Sequence, residues 1–411
     1  MKIYDFKISY ELFERACQVV PNGIVQPRNP TFLTFGDFPC FIERAQGCRM
    51  WDVDGNEFID YMCAYGPMII GYNHPKVEEA VKKQMGKGDS FSMPSPMWVE
   101  YAEYLVNLIP MADWAVFGKN GSDVTNFAIR VARHFTGKKQ IVMANGAYHG
   151  THEWSLPPTP GVPAEYQSHV PKFEYNDLED LERVFDEHKG DIAGVFLTPI
   201  RHDIMHNQEL PAPGFFDGVR ELCDREGALL LFDDIRCGFR FNIRGTHEYF
   251  GADPDIVCFG KAISNGYPLS AVVAKKHLLE SARFIYFTGT HFHGAVAMAA
   301  SIACLEEIKA TNAIEKLNEM GKILQEGLRQ QALSHGLKVV VSGPPCMPFM
   351  RFEDDPTYEK NRKFCGLAAR RGIFLHPHHN WFVSSAHEEE DIKKTLEITD
   401  ECFRLMKQME A

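Results

Sequence analysis

Along the chain, short wholly apolar runs bounded by turn residues alternate with longer stretches whose apolar positions recur three and four residues apart. The runs Ala228–Phe232, between Gly227 and two acids, and Ile256–Phe259, ending at Gly260, read as buried strands. So do the apolar parts of IVMANGAYHG and DIAGVFLTPIRHD. Helical spacing places Leu12, Ala16 and Val19 on one face of a helix over residues 10–20, stopped by Pro21-Asn22-Gly23. It predicts further helices from Pro75 to Met85, from Val124 through Ala128, Val131 and Phe135 to a C-cap at Gly137, and from Ala295 onward. Two more follow, through Ile314, Leu317, Gly321, Leu324 and Leu328, and through Ile392, Leu396, Thr399, Phe403 and Met406. Period-two alternation from Gly47 to Pro67 around Asp54-Gly55 predicts a β-hairpin, and LKVVVSG, PFMRFED and WFVSSAH read as later strands between turns. The Pro- and Gly-rich segment Trp154 to Pro163 reads as a long loop and a candidate lid.

This interleaving is that of an α/β protein, and it concentrates chemistry at strand ends. One apolar run delivers Asp233 and Asp234, the other Lys261. If the two strands lie parallel, acid and lysine emerge together at the edge where such sheets bind ligands. That pairing suits pyridoxal phosphate: a lysine amine forms a Schiff base with the cofactor aldehyde, and an acid partners the pyridine nitrogen. Read alone, the pair fits a loop-edge salt bridge equally well. Asn120-Gly121-Ser122 opens a helix, so Gly121 and Ser122 can offer backbone amides and a hydroxyl to a phosphate at the positive end of the helix dipole. By itself this is also an ordinary capped helix.

The ordered pattern of apolar strand, Asp233, a second acid, the β-branched Ile235, two positions, Gly238, and then Lys261 with a Gly-Tyr-Pro tail resembles the class III pyridoxal phosphate aminotransferases. It is most similar to their subgroup containing glutamate-1-semialdehyde aminomutase and the fumonisin-type amine aminotransferase. The resemblance implies fold type I, with a mostly parallel seven-stranded sheet in a large domain (56–305) and a small α/β domain (306–411) joined by the N-terminal segment (1–55). It implies that Lys261 carries the cofactor and moves the proton, and that Asp233 supports the ring nitrogen. Tyr148 would stack on the ring, His149 and Gly150 complete that motif, and Ile235 would lie against the opposite face. Gly289 and Thr290 match the pair contributed to a neighbouring subunit's phosphate, which implies a homodimer with a composite site. The loop SFSMPSP reaches toward the partner in relatives. Tyr65 falls where relatives line the substrate pocket; Arg28 stands about one position from their carboxylate-binding arginine. His291, with Phe292 and His293, replaces smaller polar residues near the interface.

Three departures stand out: Asn120 where serine is usual, Asp234 where glutamate is usual, and Thr198-Pro199 in place of Glu-Pro. The expected reaction is transamination between an amine or amino acid donor and a carbonyl acceptor. An intramolecular aminomutase uses the same residues and ranks second; a racemase and a silent cofactor-bound protein rank lower. The missing Glu-Pro shifts expectation toward an amine or amino polyol whose carboxylate is distant or absent. Arg236 and Arg240 either receive an acidic substrate or lie in a solvated turn.

Composition narrows the picture further. A chain of 411 residues, 45% hydrophobic, is long enough for two cored domains. Its net charge of -12 argues against nucleic acid or an anionic membrane as partner. Eleven cysteines without a CxxC pair fit reduced thiols and a cytoplasmic location. The opening MKIYDFKISYELFERA lacks the apolar segment of a signal peptide, and no apolar run approaches the ~20 residues of a membrane span. No metal is expected: His149 and His152 lack the spacing of a helical zinc pair, and His376, His378 and His379 fall where relatives place a pocket-lining loop.

Overall fold

A computed structural model describes residues 2–25 and 28–410. The chain divides into two compact units, one of Met1–His74, Ile204–Gln208 and Glu315–Ala411, the other of Pro75–Asp203 and Glu209–Ile314. The changes of unit fall at residues 74/75, 203/204, 208/209 and 314/315.

In the unit built from both chain ends, β1 (Ile42–Gln46), β2 (Arg49–Asp52) and β3 (Glu57–Asp60) form an antiparallel meander. The predicted hairpin is its second half, turning at Gly55 with φ +81°. The N-terminal helix runs Lys7–Cys17, three residues earlier than its apolar spacing suggested, and its buried positions are Ser9 and Phe13. A distant cap explains the shift. The Asp54 carboxylate, in the hairpin turn, accepts the first-turn amides of Ile8 (2.6 Å) and Ser9 (2.9 Å), and Ser9 Oγ accepts those of Cys40 and Phe41. Val19 lies beyond the helix and is 82% exposed.

The other unit is organised by a seven-stranded sheet of β4 (Trp114–Gly118), β5 (Gln140–Ala144), β6 (Lys172–Phe173), β7 (Ile192–Leu197), β8 (Leu229–Asp233), β9 (Ile256–Phe259) and β10 (Ser270–Ala274). Their spatial order is β4-β10-β9-β8-β7-β5-β6, and only β10 runs antiparallel to its neighbours. β7, β8 and β9 are buried at every position, as expected of central strands covered on both faces. The helix Gly121–Thr136 covers part of the sheet with Val124, Phe127, Ala128 and Val131, and ends at Gly137 with φ +70°.

The remaining strands belong to the first unit. β11 (Val339–Ser342) and β12 (Phe349–Phe352) pair antiparallel, and β13 (Ile373–Phe374) adds in parallel beside β3. The link between β3 and β13 explains why residues 56–74 sit with the chain ends. The stretch WFVSSAH is not a strand. Residues 381–384 are buried, but their amides bond in turn to different segments: Trp381 to the Pro348 carbonyl, Phe382 to that of Tyr61 and Val383 to that of Cys346. Two long helices, Ala313–Ser334 and Glu389–Glu410, close this unit. Among the described residues no helix is long and apolar enough to cross a membrane, and none of the eleven cysteines is in a disulfide bond.

Candidate active site

β8 and β9 are parallel neighbours, with Asp233 opposite Cys258, so Asp233 and Lys261 leave the sheet at the same carboxyl edge. Asp233 is 5% exposed and doubly held. His149 Nδ1 lies 2.8 Å from its Oδ2, and the Ile235 amide donates to its Oδ1 at 3.2 Å. The His149 ring in turn packs in an aromatic cluster, stacked on Phe196 at 4.5 Å and 12° and lying 6.1 Å and 11° from Trp154, with those two rings 5.9 Å from each other. A carboxylate clamped in this way keeps its direction without reorganising, which is what a partner for a charged ring nitrogen requires.

Lys261 follows Gly260 at the start of a short 3-10 turn, with φ +45°, a left-handed conformation unusual for a side chain with a Cβ. Desolvation, reinforced by the nearby Arg236 and Arg240 guanidinium groups and opposed by Asp233, pushes its ammonium down to about 8. A substantial minority of the amine is therefore neutral near physiological pH, as attack on an aldehyde demands. Arg236 and Arg240 are not in a solvated turn: they are 9% and 0% exposed, and Arg236 Nη1 donates to the His202 carbonyl at 2.8 Å. Asp234 is wholly buried and accepts the Thr246 amide at 2.7 Å; burial raises its carboxyl to about 7.

The phosphate candidates come to the same place. The first-turn amides of a helix have no partner within it, and here that turn begins at Gly121 and Ser122. A Cβ at Gly121 would lie 2.8 Å from Ile235 Cδ1, and one at Gly260 would lie 3.1 Å from Ile235 Cγ2, so Ile235 touches both the helix start and the lysine loop. Two bonds lash the Tyr148–Thr151 loop to the helix: Thr125 Oγ1 donates to the His149 carbonyl at 2.7 Å, and Ser122 Oγ accepts the Thr151 amide at 2.9 Å. Gly150 makes this approach possible, with φ +119° and no room for a Cβ beside Ser122. Tyr148 remains 48% exposed, an aromatic face available for stacking. The donor amides, the clamped carboxylate, the partly neutral lysine and the open ring fit pyridoxal phosphate. The sequence reading missed Thr125 and Thr151. Thr125 was detectable as a polar residue beside Val124 on a helix face that is otherwise apolar and buried.

Gly289, Thr290 and His291 lie on the loop before the helix Ala295–Ala310, and Thr290 and His291 are exposed there. Thr198 does not replace the absent glutamate's charge, and its hydroxyl donates to the Ile200 carbonyl at 2.8 Å.

Tyr65 and Arg28 belong to the unit of both chain ends. Arg28 is exposed, with its guanidinium 4.9 Å from the Tyr65 ring centroid. Tyr65 ends the run Cys63, Ala64, Tyr65, all left-handed at φ +47°, +55° and +67°. Each such non-glycine residue costs about 1 kcal/mol or more. Asp60 holds the run in place. Fully buried, it accepts the amides of Met62 (2.7 Å) and Cys63 (3.1 Å) and the Tyr72 hydroxyl (2.7 Å). The Tyr65 ring meets His379 edge-on at 5.4 Å and His376 at 6.0 Å. Among the described residues, no three His, Cys, Asp or Glu side chains gather to hold a metal ion.

A family model for aminotransferase class-III matches residues 34–403. The aminopentol aminotransferase of Sphingopyxis macrogoltabida is 42% identical over 393 residues, 96% of this chain and 93% of that one. The 3-aminobutyryl-CoA aminotransferase of Cloacimonas acidaminovorans (strain Evry) is 36% identical over 406 residues, 98% of each chain. Among solved structures, the FumI protein of Sphingopyxis sp. MTA144 in its PLP form has a TM-score of 0.95 at 41% identity, covering 97% of this chain and 96% of that one.

Proposed function

The chain belongs to the class-III aminotransferases, and from that premise we propose how its own residues carry the reaction. It is a pyridoxal-phosphate-dependent enzyme that moves an amino group between an amine or amino acid donor and a carbonyl acceptor. The bound cofactor supplies an aldehyde carbon that exchanges amines and a ring that takes up the electron pair released at the substrate carbon. In our reading Gly121 and Ser122 hold the phosphate, Tyr148 and Ile235 hold the two ring faces, and Asp233, oriented by His149, faces the ring nitrogen. Lys261 Nζ would hold the aldehyde carbon and, when free, would take a proton from the substrate carbon and give it back. The observation that carries this reading is the shared strand edge, which brings the His149-clamped Asp233 and the Lys261 amine out on neighbouring strands.

For the donor we propose an amine or amino polyol without a carboxylate on the amine-bearing carbon. Thr198 in place of the usual acid supports this, as does the 42% identity to a protein named for an aminopentol. Tyr65, Arg28 and His291 then belong to the substrate side. We further propose a cytoplasmic homodimer in which Gly289 and Thr290 of one copy complete the phosphate site of the other. Exposure of Thr290 on its loop, the net charge of -12 and the absence of disulfide bonds among the described cysteines support this. The unit of both chain ends is the small domain and the sheet-centred unit the large one.

The test is the visible absorption of purified protein and of Lys261→Ala, before and after adding amines, amino polyols and amino acids, then keto acids. A yellow wild type that bleaches with amines and recovers only with an added carbonyl acceptor supports the reading, whereas recovery without acceptor would indicate an intramolecular shift. Bleaching by α-amino acids alone would refute the proposed donor class.

A further inference from the structure

Past their ends β8 and β9 stay in step. Asp233 pairs with Cys258, the Asp234 amide donates to the Cys258 carbonyl at 2.9 Å, and Ile235 Cγ2 lies 3.1 Å from where Gly260 would carry a Cβ. The next residues in step are Arg236 and Lys261, so a guanidinium and the amine stand side by side within the sheet-centred unit. Arg236 Nη1 donates to the His202 carbonyl at 2.8 Å, which ties the guanidinium to the segment after β7. Arg236 keeps 9% of its surface exposed, Lys261 is half-buried and Tyr148 is 48% exposed, so solvent reaches this corner of the site.

A guanidinium does not shed its charge, and holding one away from water is costly unless anions face it. The carboxylates that act on Arg236, those of Asp233 and Asp203, each serve another partner as well, His149 for the first and Arg201 for the second. We propose that Arg236 selects the carbonyl acceptor by receiving the carboxylate of an α-keto acid. The proposal rests on the reading above, in which Lys261 Nζ marks the place of the reacting carbon and the donor has no carboxylate on that carbon. In an α-keto acid the carboxylate is bonded directly to the reacting carbon, so the group that recognises it must stand beside Lys261. A planar fork of donors matches the two oxygens of a carboxylate, which a single point charge does not. One site then takes in turn an amine without a carboxylate at the reacting carbon and an acceptor that carries one.

The holoenzyme is first bleached with an amine, and the return of the yellow band is followed with pyruvate and with pyruvamide, which keeps the carbonyl and masks the carboxylate. Arg236→Met removes the charge at similar length, and Arg236→Lys keeps the charge without the fork. In Arg236→Met the second-order rate of return should fall about 10- to 150-fold more for pyruvate than for pyruvamide, the range of one hydrogen bond to a charged group. Arg236→Lys should fall between Arg236→Met and wild type. An equal fall for both acceptors, or none, would overturn the proposal and leave transamination intact. Wild type alone gives a second measurement: propionate should compete with pyruvate more tightly than propionamide does, and equal competition would overturn the proposal as well. A third uses cofactor-free protein. The pH midpoint for capture of pyridoxal phosphate should move upward in Arg236→Met and less in Arg236→Lys, because loss of a neighbouring positive charge lets Lys261 keep its proton longer. Asp233, Arg240 and Cys237 also act on Lys261 and are the same in all three proteins. An unmoved midpoint in Arg236→Met would mean that the guanidinium does not stand beside the amine. If no amine bleaches the wild type, or no carbonyl compound restores its colour, transamination itself falls and this inference with it.

Discussion

Asp234 offers a thermodynamic measurement whose size follows from its surroundings. Its carboxyl is wholly buried beside Asp233, and although the Thr246 amide and Arg240 favour its charge, desolvation dominates and raises it from 3.8 to about 7. A carboxyl that binds its proton more tightly when folded stabilises the native state fully below pH 3.8, and that advantage is lost as pH rises through 7. With these two values the ionisation penalty is about 2 kcal/mol at pH 5.5 and about 4 kcal/mol at pH 8.5. In Asp234→Asn the acceptor for the Thr246 amide is kept and the titration removed. The stability of the variant relative to wild type should therefore grow by about 2 kcal/mol from pH 5.5 to pH 8.5. Urea unfolding of cofactor-free protein at the two pH values, followed by tryptophan emission, reads this difference, and any pH-independent effect of asparagine cancels from it. A difference that is the same at both pH values, or smaller at the higher one, would refute the argument and mean that Asp234 ionises as an ordinary carboxylate.

Two further outcomes are expected. The rate at which cofactor-free protein captures pyridoxal phosphate should rise with pH to a midpoint near 8, because about a quarter of Lys261 is neutral at pH 7.5, against about one part in a thousand for an ordinary lysine. Stopped-flow absorbance checks this, and a rate still climbing steeply above pH 9.5 would contradict it. Gly150→Ala should lower both thermal stability and cofactor affinity, since its Cβ would meet Ser122 Oγ at 2.6 Å and Cα at 3.0 Å in a backbone conformation that L residues rarely adopt. Gly161→Ala also carries a positive φ but faces open space, so it should retain cofactor affinity in the same titration.

The parts of this architecture legible in the sequence are those determined locally. β8 and β9 announced themselves as apolar runs between turn residues, and Gly137 as the end of its helix, because burial and backbone conformation act on the residues themselves. What escaped depends on partners far away in the chain. The N-terminal helix starts where Asp54 caps it, about 45 residues later, and no apolar spacing near residue 10 records that. WFVSSAH has the composition of a strand because its first four residues are buried, yet its amides find partners in different segments instead of one ladder. At the site, the motif carrying His149 was readable, whereas its bond to Asp233, 84 positions on, and its packing with Phe196 and Trp154 emerge only from folding. Arg236 and Arg240 illustrate the converse error. Charged residues after a strand suggest solvent, but this turn folds inward.

The contact of Ile235 with both Gly121 and Gly260 has an evolutionary corollary. Positions 121, 235 and 260 are not independent characters, since a methyl added at either glycine must be matched by one removed from the side chain between them. Descent within such a family should therefore pass through a shortened residue at 235 before either glycine can change. Laboratory libraries that vary these positions one at a time will score as forbidden what a paired exchange permits.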